Sequence, residues 1–170
     1  MSSIIQYIEW NNSNSNNKIL IKRIDFKTGI YLPETLSINE IILLIDSLEH
    51  INFIDSRNKT ILDFMYSTAC RVSELCDVKI SDLDLDEDYI KLTGKGSKQR
   101  LVPIGKELKR NLIEYLKFRE SFIKQDKTYL FLSKNKNKLE RTSIYRLVKN
   151  IAIKNKVSNN IHPHTLRHSA

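Results

Sequence analysis

The hydrophobic period of this chain changes twice, and that change limits its fold more than any other feature. Through about residue 78 the apolar residues recur at helical spacing. Ser37-Ile-Asn-Glu40 is a capping-box pattern, so a helix starts there. Ile41, Leu44, Ile45 and Leu48 form its apolar stripe. Two more helices are predicted over about 57–68 (Ile61, Leu62, Phe64 and Met65 inward) and about 72–78 (Val72, Leu75 and Cys76 inward). From residue 89 the pattern suits strands: Tyr89, Ile90, Leu92 and Thr93, then Leu101 to Ile104. Gly94-Lys-Gly-Ser-Lys98 lies between them with two glycines for a turn, so this is a β-hairpin. Helical spacing returns over about 106–122, with Leu108, Leu112, Tyr115, Leu116 and Phe122, and over about 142–155, with Ile144, Leu147, Val148, Ile151 and Ala152. Tyr129 to Leu132 reads as a short extended piece, and a last helix opens at His164 and runs to Ala170. A short hairpin between helices predicts an α+β fold, mainly helical around a small antiparallel sheet.

The first 33 residues carry less information. Ile4, Ile5, Tyr7, Ile8 and Trp10 suit the end of a helix. Asn11 to Asn17 is a polar low-complexity stretch, read as a loop. Residues 18–33 read as an extended connector ending at Pro33. A length of 170 residues suits one ordinary domain, and 41% hydrophobic residues suffice for a core. Two cysteines, Cys70 and Cys76, exclude a disulfide scaffold and a Cys-rich zinc fold. No apolar run reaches membrane-span length and no charged-then-apolar leader opens the chain. The expectation is a soluble protein of a reducing compartment, the cytoplasm, with no membrane partner.

Charge is distributed unevenly. Residues 1–88 carry 8 basic and 15 acidic side chains; residues 89–170 carry 20 basic and 5 acidic, a net +15. Such asymmetry suits a surface facing a polyanion. The abundance of Lys, Asn and Ile, as in AT-rich genomes, is the competing source of surface lysines.

Three segments hold the residues that could do chemistry. In Ile161-His-Pro-His-Thr-Leu-Arg-His168, a helix from His164 puts His164, Arg167 and His168 on one face. A His and an Arg there could grip a phosphate. A metal site is the second reading, since His162, His164 and His168 are ligand types, but no carboxylate or thiolate sits among them. A structural His/Arg cluster is the third. In Ser67-Thr-Ala-Cys-Arg71-Val-Ser-Glu74-Leu, Arg71 heads an apolar helix and needs a partner. That partner is Glu74, one of the Asp82–Asp88 acids, or a bound phosphate. In Thr93-Gly-Lys95-Gly-Ser-Lys98-Gln-Arg100, a lysine at the hairpin tip could reach a DNA groove or simply be solvated. The segment is neither a P-loop nor a dinucleotide fingerprint. Asp82, Asp84 and Asp86 alternate like a calcium loop, but Glu87 and Thr93 occupy the sixth and twelfth positions, so calcium is rejected. The acids are read as a solvent-facing loop.

Taken in order, Thr-Ala-Cys-Arg71-Val-Ser-Glu-Leu, Gly-Lys95-Gly-Ser-Lys-Gln-Arg-Leu-Val-Pro-Ile and His-Pro-His164-Thr-Leu-Arg167-His168 resemble the tyrosine recombinase (phage integrase) family, of the XerC/XerD type. Leu32-Pro-Glu-Thr-Leu-Ser37 also looks like the start of that family's catalytic domain. The resemblance covers about residues 32–170 and implies a partial catalytic domain there. Residues 1–31 are then a connector or the remnant of an N-terminal core-binding domain. It implies that Arg71, Lys95, His164 and Arg167 are catalytic, and that Lys98, Arg100 and His168 contact DNA. The implied reaction is site-specific recombination through a 3′-phosphotyrosine, on double-stranded DNA, with other recombinase protomers as partners and neither metal nor cofactor. Two arginines would hold the phosphate oxygens. Lys95 would protonate the leaving 5′ oxygen, and His164 would move protons or brace the phosphate.

The chain also departs from the family pattern. Ala69-Cys70 replaces the usual Gly-Leu before the first Arg. The family's nucleophilic Tyr lies after His-x-x-Arg, and all seven tyrosines here precede His164: Tyr7, Tyr31, Tyr66, Tyr89, Tyr115, Tyr129 and Tyr145. The chain is therefore expected to be truncated at both ends, to lack the nucleophile and to be inactive alone. A last helix cut short predicts marginal stability. The alternative is a non-catalytic DNA-binding or partner-binding module.

Overall fold

The capping box predicted at Ser37 is formed. Ser37 Oγ accepts from the Glu40 backbone N–H at 3.3 Å, and Glu40 Oε2 accepts from the Ser37 N–H at 2.8 Å. Helix α1 (Ile38–Asp46) follows, with Ile41 and Leu44 buried. The structure, a computed structural model, describes residues 10, 11, 13, 35–123, 128–157 and 161–170. It divides into two units, Met1–Leu32 and Pro33–Ala170. In the first, Trp10, Asn11 and Ser13 are helical. That corrects the loop expected at Asn11 and Ser13, residues whose helix cost is only a few tenths of a kcal/mol each, about 0.5. The rest of the expected N-terminal helix, loop and connector lies outside the described residues.

In the second unit, α2 spans Phe53–Thr68 and starts four residues before the expected place. Asn52 explains the difference, since its side chain accepts from the Ile54 and Asp55 N–H groups. A short helix, α3 (Val72–Asp77), and a 3₁₀ turn (Ile80–Asp82) lead into the sheet. The sheet has three antiparallel strands in sequence order: β1 (Leu83–Asp84), β2 (Tyr89–Thr93) and β3 (Gln99–Pro103). β1 replaces part of the expected acidic loop. Asp84 makes this possible by accepting from the Asp86 and Glu87 N–H groups, which turns the chain back so that Leu83 pairs with Ile90. Helices α4 (Lys106–Phe122), α5 (Arg141–Lys154) and α6 (Pro163–His168) complete the unit. The expected helix to Ala170 ends earlier, with Ser169 as its C-cap. The Tyr129–Leu132 piece forms only isolated bridges, Lys79 to Tyr129 and Leu132 to Lys138.

One core joins these elements. Ile61, Phe64 and Met65 of α2, Leu75 of α3, Ile90 of β2 and Leu112 and Tyr115 of α4 are fully buried. A polar chain with Ser56, Asp63 and Asn111 buried runs between α2 and α4. Asn111 Nδ2 donates to Asp63 Oδ2 at 2.7 Å, Ser67 Oγ donates to Asp63 Oδ1, and His50 bridges Ser56 and Asn111. Every member has a partner, which keeps such a chain from costing stability. The extended piece after α4 has no ladder to satisfy its carbonyls. Tyr115 Oη and Arg119 Nε donate to the Leu130 carbonyl, and Arg57 Nη1 donates to that of Leu132.

α2 ends on Ala69, which adopts the left-handed conformation at φ 46°, ψ 35°. Only glycine enters that region without a Cβ penalty. The turn swings the chain from α2 straight into Arg71 and α3. Ala69→Gly is expected to stabilise the fold by about 1 kcal/mol, read as a higher urea midpoint at unchanged slope.

Candidate functional site

The centre of the site is a carboxylate. Glu74 is the third residue of α3, and its side chain is 1% exposed. Oε2 accepts from the Arg71 backbone N–H at 2.9 Å, half of a capping box, and from Arg100 Nη2 at 2.9 Å. Oε1 accepts from Arg71 Nη1 at 3.1 Å and Arg100 Nη1 at 3.0 Å. Burial pushes the Glu74 carboxyl up, but the Arg100 fork and the Arg71 donors outweigh it and hold it down at about 2. Of the partners considered for Arg71, the structure therefore selects Glu74 and not the Asp82–Asp88 acids.

Strand register brings Arg100 there. Leu92 pairs with Arg100, and in an antiparallel pair opposite residues share a face. Leu92 faces the core, so Arg100 points to the same side, toward α3. The hairpin turn, Gly94 to Lys98, uses its two glycines differently. Gly96 takes a positive φ of 74°. Gly94 does not, but a Cβ there would stand 3.0 Å from Glu74 Oε1, so the hairpin backbone lies directly against the carboxylate. A cavity of about 240 Å³ results, lined by Arg71, Glu74, Gly94, Lys95, Lys98 and Arg100. Four of the predicted residues are thus gathered, with cationic charge in excess.

None of the other three predicted residues, His164, Arg167 and His168, lines that cavity; they lie on α6. Its Pro163, Thr165 and Leu166 are buried, and the Leu36 N–H donates to Ser169 Oγ just beyond its end. His164 and His168 are exposed. Arg167 is half-buried, and its Nη1 is a buried nitrogen without a hydrogen-bond partner among the described residues. A buried, charged donor left without an acceptor is costly, so a site like this is suited to an anionic oxygen. Cys70, just before Arg71 in the chain, is fully buried. Burial pushes its thiol up to about 12, and Arg100 and Arg167 are both within electrostatic reach of it. The thiol therefore stays protonated and is a packing residue rather than a nucleophile. Partial desolvation, followed by His162, His168 and Arg167, lowers the His164 imidazole from its ordinary value. It is neutral near pH 7 and able to accept a proton. Tyr145 of α5 packs edge-on to it, with ring centroids 6.4 Å apart.

Among the described residues, no three His, Cys, Asp or Glu side chains are gathered as for a metal ion, and no helix is long and apolar enough to cross a membrane. The sequence reading treated Glu74 only as one possible partner of Arg71. The Arg-x-x-Glu spacing at a helix start was the available signal. Nothing in the sequence showed that Arg100 would share the same carboxylate.

Comparison with known proteins bears on family and fold. The sequence model of the phage integrase family matches residues 34–170. Tyrosine recombinase XerD of Bifidobacterium longum is 38% identical over 148 residues, which are 81% of this chain and 48% of that protein. Tyrosine recombinase XerC of Thermodesulfovibrio yellowstonii is 36% identical over 143 residues, again 81% and 48%. The crystal structure of XerA recombinase superimposes with a TM-score of 0.73 at 32% identity, over 84% of this chain and 50% of that one. XerH site-specific recombinase bound to its difH substrate shares the fold, with a TM-score of 0.70 at 24% identity over 98% and 50%. The chain spans about half the length of the curated relatives it matches.

The carboxylate at this centre makes stability depend on acid pH. Glu74 is held near 2 in the fold against an ordinary 4.5, so its contribution is complete above pH 4.5 and is lost as pH falls toward 2. Urea melts should show the wild type losing on the order of 2 kcal/mol more than Glu74→Gln across that interval.

Proposed function

This chain belongs to the phage integrase family, and from that premise we propose that it carries the phosphate-holding part of a site for DNA strand cleavage and rejoining. The observation that carries the reading is the orphaned, buried Nη1 of Arg167, a charged donor waiting for an oxygen. Arg71 supports it, since its side chain is 54% exposed and spends one side-chain hydrogen bond on Glu74. In this reading the two arginines hold the non-bridging oxygens of a DNA phosphodiester, where negative charge builds during transfer. A tyrosine oxygen attacks phosphorus and the 5′ oxygen leaves, taking a proton from Lys95. Neutral His164 accepts the tyrosine proton or braces the phosphate. One phosphodiester replaces another, so no nucleotide triphosphate is consumed. Lys98 adds positive charge along the duplex, and His168 is exposed to contact it.

The attacking tyrosine is assigned outside residues 1–170, to further chain or to another protomer on the same DNA. Four of the described tyrosines have contacts of their own. Tyr115 is buried and donates to Leu130, and burial raises its phenol. Asp84 raises Tyr89 by a hydrogen bond, and Tyr129 lies under the Lys138 ammonium. Tyr145 touches His164 through its ring edge. The +15 balance of residues 89–170 also favours a second reading, a DNA-binding module without chemistry.

Binding of the chain to a duplex of about 30 bp should weaken steeply with salt. Arg71→Ala and Arg167→Ala should each cost about tenfold and lower the log–log salt slope by about one. Binding that ignores both substitutions would overturn the phosphate-site reading. On nicked duplexes the 170-residue chain should yield no covalent adduct, and an adduct mapped to Tyr145 or any of its other tyrosines would overturn the placement of the nucleophile.

A further inference from the structure

Resting on the phosphate-site reading above, we infer that Arg100 is a positioning residue: by gripping both oxygens of Glu74 it leaves the Arg71 guanidinium open to a phosphate. The hydrogen-bond inventory leads there. An ionised carboxylate has about four acceptor positions. On Glu74 all four are used, two by Arg100 at 3.0 and 2.9 Å, one by Arg71 Nη1 and one by the Arg71 backbone. The forked, two-bond pairing is the stronger geometry, and it belongs to Arg100. Arg71 is left with one side-chain bond to protein and most of its donors turned to solvent.

Removal of Arg100 changes the balance on the carboxylate. Glu74 stays where it is, 1% exposed, with the Gly94 backbone against Oε1 on the hairpin side. A buried carboxylate without its main counter-ion is strongly unfavourable. Arg71 is the cation already in contact, so it rotates into the vacated two-bond geometry. Its donors then point at Glu74 instead of at DNA. Arg100 therefore acts on phosphate through two other residues, and its effect depends on the negative charge of Glu74. A direct DNA ligand would show no such dependence.

The test is equilibrium binding of the full 170-residue chain to a fixed duplex at constant salt, with a thermal melt of every variant. Arg100→Ala is expected to weaken binding about tenfold, and to add nothing in an Arg71→Ala background. Glu74→Gln removes the charge that captures Arg71. It is expected to bring the Arg100→Ala protein back to within about threefold of Glu74→Gln alone. Arg100→Lys keeps the charge but cannot fork across two oxygens, so it should show a smaller loss with the same two dependences. It serves in place of Arg100→Ala where that variant fails to fold. Losses at Arg100 and Arg71 that add, a loss that Glu74→Gln does not relieve, or no loss at Arg100 beside a clear one at Arg71 would each overturn the inference. Arg71→Ala binding like the wild type would instead overturn the phosphate-site reading, and this inference with it.

Discussion

A carboxylate taken out of water has to be surrounded by donors, and the way Glu74 meets that demand sets the geometry of everything near it. Its two oxygens accept from a helix-start backbone N–H, from the Arg71 side chain and from both terminal nitrogens of Arg100. These donors come from two separate parts of the chain, the start of α3 and strand β3. The ion pair is therefore also the joint between the helical layer and the hairpin. Its worth as a stabilising pair is modest, because desolvation offsets much of the attraction. Its consequence for geometry is larger: Arg100 cannot move without taking the main counter-ion from a buried charge.

The scaffold around that joint is built to hold position. Ala69 turns the chain sharply between α2 and α3 at the cost of a left-handed residue. The Asn111–Asp63–Ser67 chain and His50 fasten α2 to α4. Leu92 in the core fixes the register that aims Arg100 inward. A shift of one residue in that register would turn Arg100 to solvent and bring Gln99 or Leu101 to face Glu74.

The charges that remain explain why the site suits an anion. Lys95, Lys98, Arg71 and Arg100 share one small cavity with a single carboxylate. Arg167 adds a buried nitrogen that lacks an acceptor, while the nearby Cys70 thiol stays neutral because it is buried. Partial desolvation, followed by His162, His168 and Arg167, keeps the His164 imidazole below its ordinary value. The outcome is a cavity with cationic charge in excess, and a helix that carries a neutral imidazole beside a guanidinium with an unpaired nitrogen.

Much of this was readable from the chain alone, because it depends on local chemistry. The Ser37 cap, the helical stripes of α4 and α5 and the hairpin at Gly94 follow from spacing and from turn residues. The ordered motifs around Arg71, Lys95 and His164 marked the family. Strand β1 was missed because two residues carry no period, and the early start of α2 because one Asn cap is a weak signal. The sequence by itself determined which residues are charged, which faces are apolar and where the chain turns. Only the tertiary structure decided that Glu74 takes both arginines and that Arg167 keeps a buried nitrogen unpaired. Those outcomes depend on pairings 26 residues apart and on the packing of a distant helix, and local spacing does not encode either.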